Sequence, residues 1–203
     1  MDKVLLINMP FCSLESPAIG ISLLKSKLIR EEIPCDIKYL NFAFADLLGY
    51  DEYIWFTNDL PHRMLAGEWL FSQHLFGQEE GNKYTEEVLK EEWGLGDLSI
   101  QRILEIKKVI GPFLDHCLNS IDWQGYSIIG FTSTFQQNLA SVALAYLVKQ
   151  SYQEKIIVFG GSNCEAEMGI QLYHLRHPVD LKIMLQDGDY YLSLAIPSPS
   201  ASL

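Results

Sequence analysis

Lys155-Ile156-Ile157-Val158-Phe159-Gly160-Gly161 is an apolar run closed by two glycines, and its reading decides the fold class. Consecutive apolar residues without polar alternation mark a strand covered on both faces, as in a parallel sheet. Upstream, Leu139, Val142, Ala143, Tyr146 and Leu147 recur at helical spacing, and before them Ser127-Ile128-Ile129-Gly130-Phe131 forms another apolar run. Downstream, Ala166–Leu175 reads as a helix and Val179–Met184 as a last strand. Strands separated by helices imply right-handed crossovers and a parallel sheet.

The N-terminal part repeats the pattern. Val4–Ile7 is a buried-type strand that ends at Asn8-Met9-Pro10. Ser16-Pro17 suits a helix start, since serine caps and proline fits the first turn. Ile21, Leu24, Leu28 and Ile29 then form a stripe that Pro34 stops, and Asp36–Leu40 reads as the second strand. Residues 42–121 break the alternation. They read as helices, with the stripe Ile103, Ile106, Ile110, Phe113, Leu114, Cys117 and Leu118, a kink expected at Gly111-Pro112, and Thr85 as a cap. The expected fold is α/β: a flavodoxin-like parallel sheet of order 2-1-3-4-5, residues 1–190, with a helical insertion between strands 2 and 3. The Pro/Ser-rich stretch 191–203 is expected to be a disordered tail.

The chain has 203 residues, 48% hydrophobic and 20% charged, with a formal net charge of -11. Core-forming composition excludes a disordered chain. The acidic balance excludes a phosphate-neutralising surface for nucleic acid and disfavours anionic membranes. No apolar run approaches the ~20 residues that span a bilayer, and the N-terminal run is too short for a signal peptide, so a cytoplasmic location is expected. Cys12, Cys35, Cys117 and Cys164 are widely spaced, which argues against a metal or iron–sulfur site and for free thiols.

Ligands of open parallel sheets bind beyond the carboxyl ends of the strands, where strand order reverses. Three loops are therefore candidates: Asn8–Ser16, Thr132–Asn138 and Gly160–Glu165. The second holds Thr132, Ser133, Thr134, Phe135, Gln136, Gln137 and Asn138, hydroxyls and amides that hydrogen-bond without net charge. They suit a large polar ligand, and equally they serve as caps for the next helix. The third holds Gly160-Gly161-Ser162-Asn163, where paired glycines allow close backbone approach or simply make a turn. Neither loop is a P-loop or a GxGxxG fingerprint.

Ser133 after strand three, with Gly160-Gly161 after strand four, resembles the serine loop and glycine pair of cobalamin-binding domains. Longer runs extend the likeness: Asn8-Met9-Pro10-Phe11, Ala66-Gly67-Glu68-Trp69-Leu70-Phe71, Gly130–Asn138, Phe159–Glu165 and Glu167-Met168-Gly169. Over roughly residues 3–185 the chain resembles the N-terminal part of radical SAM proteins that mature ribosomally made peptides, in which a cobalamin domain precedes the radical SAM barrel. The resemblance implies a cobalamin bound without a histidine on cobalt, since the DxHxxG motif is missing here. It implies contacts from Met9, Pro10, Phe11 and Ser13 under the corrin, from Thr132, Ser133, Thr134, Phe135 and Gln136, and from Gly160, Gly161, Ser162 and Asn163 along the nucleotide tail. The CxxxCxxC motif that would hold an iron–sulfur cluster is absent from this chain, and the glycine–acid–glycine step after strand five reads Gln186-Asp187-Gly188. The implied role is a cobalamin-binding module without activity alone, acting with a separate radical SAM barrel protein or a precursor peptide. Two other readings stand beside it: the same fold binding a nucleotide or flavin, and a protein-interaction domain whose insertion is the working surface.

Cys164 at a helix start is a weak nucleophile candidate, since helix dipoles lower thiol pKa values. The cluster Tyr50, Tyr53, Trp55, Phe56, Trp69, Phe71 and Phe76 reads as packing of the insertion, and His62 and His74 as surface residues. Cys12 sits in the first loop, where a small residue suits a tight turn.

Overall fold

The computed structural model describes residues 3–77, 83–174, 181–184 and 191–192, with side chains to residue 171. The chain is α/β, built on a parallel sheet with the order β2-β1-β3-β4 at its centre. These strands are β1 (Val4–Asn8), β2 (Cys35–Tyr39), β3 (Ile128–Thr132) and β4 (Ile156–Gly160). Leu181–Met184 (β5) pairs parallel to β4, and the two-residue strand Tyr191–Leu192 (β6) adds antiparallel to β5. Six strands thus stand where five were expected. The extra one lies at the start of the stretch read as a disordered tail, while residues 193–203 are outside the described residues.

Alternation along the strands sorts two cores. Leu5 and Ile7 of β1, Ile129 and Phe131 of β3, and Ile157 and Phe159 of β4 face α7 (Asn138–Ser151) and the insertion. Val4 and Leu6 face the other way, onto α1 (Ile19–Arg30) through Ile21, Leu24 and Leu28. By the same period of two, Ile128, Ile156, Val158 and Gly160 share the α1 face.

The insertion runs through α2 (Leu40–Leu48), α3 (Tyr50–Ile54), a wide turn Trp55–Asp59, α4 (Ala66–Phe76), the π-helical α5 (Tyr84–Glu92) and α6 (Asp97–Ser120). Its aromatic residues are mostly core, as the packing reading held. Phe44, Tyr53, Phe56 and Phe71 surround Phe11, with ring centroids 4.3–6.4 Å away, whereas Tyr50 and Phe76 are exposed.

Several local expectations are corrected. Ser16 does not cap α1: the helix opens at Ile19, and the Ser22 hydroxyl donates to the Ala18 carbonyl (3.0 Å) from inside the first turn. Thr85 is buried within α5 after Lys83. α6 runs from Asp97 to Ser120 with the exposed Pro112 inside it, so Gly111-Pro112 does not end the helix. Ala166–His174 (α8) follows β4 as expected.

Candidate functional site

The loops after β1, β3 and β4 converge as the strand order predicts, and their hydrogen bonds explain why. Gly161 has φ +111, a conformation that favours glycine, and a β-carbon there would lie 2.5 Å from the Ser133 carbonyl oxygen. Its absence lets the two loops join. Ser133 N–H donates to the Gly160 carbonyl (2.7 Å), and Asn163 N–H donates to the Ser133 carbonyl (3.1 Å). The Asn163 side-chain amide donates to Ser133 Oγ (3.0 Å) and to the Phe135 carbonyl (2.8 Å). Ser133 is fully buried, and its hydroxyl also donates to Asn138 Oδ1 (3.3 Å).

Thr134 takes the capping role weighed against ligand binding. Its N–H and hydroxyl both donate to Gln137 Oε1, at 3.1 and 2.8 Å. The other end of Gln137 donates to Asn8 Oδ1 (3.1 Å) and to the Met9 carbonyl (2.5 Å), tying the β3 loop to the β1 loop. Gln137 and Asn8 are both buried; they lie in two of the candidate loops but are not among the expected cobalamin contacts.

The insertion closes over this junction, which corrects the expected layout. Met9, Pro10 and Phe11 are buried beneath α2–α4 rather than facing a ligand. Gly67 of α4 donates its N–H to Gln136 Oε1 (2.6 Å), and a β-carbon on it would lie 2.8 Å from both Gln136 Cβ and the Phe11 ring. Glu68, the next residue, turns its carboxylate onto the start of α7, where it accepts from Asn138 N–H (3.0 Å) and Leu139 N–H (2.6 Å). It completes a helix N-terminus, whose unpaired N–H groups favour negative charge. Burial nevertheless outweighs these two bonds and pushes the Glu68 pKa up to about 7. Phosphate groups of nucleotides and flavins use such N-termini; here the chain's own carboxylate fills it. The signal for Glu68 was present in sequence as a lone acid within Ala66–Phe71, but periodicity does not say which helix end an acid meets.

The accessible part of the site is therefore narrower than the expected list. Ser13, Phe135, Gly161 and Ser162 are exposed, and Thr132, Thr134 and Gly160 are half-buried, whereas Ser133, Gln136 and Asn163 are buried. Tyr39, Asn8, Thr132 and Gly160 are register partners, forming one row across β2, β1, β3 and β4. In this row a β-carbon on Gly160 would meet nothing within 4 Å. The Asn8 side-chain nitrogen, buried in a residue only 1% exposed, has no hydrogen-bond partner among the described residues. The orphaned Asn8 donor and the open position at Gly160 stand at opposite ends of the β1–β3–β4 row, with Thr132 between them, and unpaired buried polar atoms are costly.

Other candidates resolve plainly. Cys164 is buried, and its thiol is pushed up to about 12 by desolvation, with Glu165 adding to the rise, so the expected helix-start activation is not realised. His62 is on the surface but not idle, since its ring meets Phe135 and Gln136. His74 is half-buried, which lowers its pKa. A separate open cleft of about 780 Å³ lies between α4, α5 and α6. Of its three lysines, Lys90 pairs with Glu86 and Asp97, Lys108 pairs with Glu105, and Lys107 lies over the Trp69 ring. Among the described residues no group of three or more His, Cys, Asp or Glu converges, and no helix is long and apolar enough to cross a membrane. Comparison with family models, curated proteins and solved structures gives no match.

Proposed function

We propose that the chain is a cobalamin-binding module of flavodoxin-like topology that binds its ligand at the carboxyl ends of β1, β3 and β4. The observation that carries this reading is the strand-end row Asn8–Thr132–Gly160, which holds a buried Asn8 side-chain nitrogen without a partner among the described residues at one end and an open position at Gly160 at the other. The open position at Gly160 would admit part of the polar nucleotide tail of a cobalamin. The serine and glycine-pair positions that carry the family resemblance hydrogen-bond directly to one another, which supports their having one shared role. That role differs in detail from the expected one. Ser133 and Gly161 shape the loops, and Gly160 leaves the space. The corrin would lie over the exposed Ser13, Phe135, Gly161 and Ser162, outside the buried Met9–Phe11.

Binding without a protein histidine on cobalt is supported by His62. Gln136 Oε1 accepts from Gly67 N–H, so the Gln136 amide nitrogen is the end that meets His62 Nδ1, at 3.2 Å. Cobalamin supplies the alkyl-transfer or radical chemistry of its enzymes, and the protein binds and orients it. The partner in this reading is a separate radical SAM barrel protein or a precursor peptide. A nucleotide or flavin is the weaker reading, because Glu68 fills the α7 N-terminus that its phosphate would use. Mixing the protein with hydroxocobalamin and following absorbance tests the proposal. A saturable one-to-one spectral change is expected, and its absence at ligand concentrations far above the protein's would reject it.

A further inference from the structure

We propose that Phe135 and His62 form a stacking platform for a flat conjugated ring at the mouth of the strand-end site. The inference rests on the reading that the strand ends bind a ligand, and it assigns the part of the surface that selects the ligand's shape. Phe135 is 70% exposed, whereas Phe11 of the β1 loop is buried. Its backbone is left-handed, with φ +49, although it carries a β-carbon. A bulky residue held in that region is strained, and such strain persists where the surroundings over-determine it and clusters at functional sites.

The surroundings here do over-determine it. The Phe135 carbonyl accepts from the buried Asn163 amide (2.8 Å), Thr134 before it is held by Gln137, and Gln136 after it is clamped between Gly67 and His62. One side of the ring rests on the His62 imidazole, with centroids 5.4 Å apart and planes 23° from parallel. Leu65, between His62 and α4, is 54% exposed and also left-handed at φ +56. Packing does not call for this arrangement, since burying the Phe135 ring would be favourable and a glycine would relax the loop. An outward aromatic face at the strand-order reversal suits stacking with a planar π-system.

The test separates the platform from the ligand reading. The full chain, with Phe135→Gly, Phe135→Tyr and His62→Ala variants, is titrated with hydroxocobalamin by absorbance, with FMN by fluorescence and with ATP by calorimetry, and each variant is melted without ligand. One probe is expected to bind the parent saturably. Phe135→Gly should weaken that probe at least tenfold while melting at or above the parent's temperature, Phe135→Tyr should stay within about threefold, and His62→Ala should fall between them. A purely structural Phe135 would instead lower the melting temperature of the glycine variant. If a probe binds the parent and Phe135→Gly equally well, the platform is wrong and the ligand reading stands. If none of the three binds the parent, both are overturned.

Discussion

Glu68→Gln is the perturbation whose sign is least intuitive. Glu68 ties the insertion to α7 through two backbone N–H groups, yet burial raises its pKa from the ordinary 4.5 to about 7. A carboxyl that holds its proton more tightly in the folded state favours folding at low pH. Its contribution is fully present below about 4.5, falls as pH rises, and is gone above about 7. A shift of this size corresponds to about 3 kcal/mol, at ~1.36 kcal/mol per pKa unit, most of it spent between pH 5 and pH 8. Folded domains are stable by only ~5–15 kcal/mol, so the change is large enough to measure. Urea denaturation of the parent and of Glu68→Gln at pH 5, 6, 7 and 8 reads it directly. The parent should lose about 2–3 kcal/mol relative to the glutamine variant across that range. Parallel profiles would show that Glu68 keeps an ordinary pKa and that its carboxylate is not desolvated at the α7 N-terminus.

Further outcomes follow from the same contacts. Gly161→Val should destabilise the protein by about 2–4 kcal/mol without any ligand, because it combines a left-handed backbone with a clash on Ser133, whereas Gly160→Val should change stability by less than ~1 kcal/mol; chemical denaturation compares them, and equal losses would refute the loop geometry. Asn163→Ala removes the two amide bonds to Ser133 and Phe135 and should cost about 1–3 kcal/mol in the same assay. Gly67→Ala should cost about 1–3 kcal/mol through its contact with Phe11 and Gln136. Native alkylation at pH 8 read by mass spectrometry should leave Cys117 and Cys164 unmodified, since burial puts both thiols at about 12, and labelling of either without unfolding would contradict their burial.

β1, β3 and β4 were legible because each is a nearly unbroken apolar run, as a sheet covered on both faces requires, whereas the edge strand β2, Cys35-Asp36-Ile37-Lys38-Tyr39, alternates and was legible mainly from its place after Pro34. Their order was expected from the flavodoxin-like pattern of strands separated by helices, and the convergence of the three loops followed from the order. Helix starts were less legible. Ser16-Pro17 looks like a cap and first turn, but the chain stays extended at Ala18, and nothing local distinguishes the two outcomes. The site was legible as loops and illegible as a surface. Hydroxyls and amides in Thr132–Asn138 advertise hydrogen bonding, but whether they bind a ligand or one another depends on Gln137 reaching Asn8 and Asn163 reaching Ser133, contacts far apart in sequence. The insertion's role was hidden for the same reason. Gly67 and Glu68 act through residues some seventy positions away. The glycine pair shows the difference most plainly: the residues read alike in sequence, but a β-carbon on one strikes the neighbouring backbone and on the other meets open space.

That difference provides the most direct test of cobalamin binding along the Gly160 row. Hydroxocobalamin is titrated calorimetrically into the parent and into Gly160→Val, after thermal melts have shown that the two are equally folded. The account predicts one-to-one binding to the parent and at least a tenfold loss in the valine variant, whose side chain fills the open space at the Gly160 position next to Thr132. Equal affinities, or no binding to the parent, would contradict it.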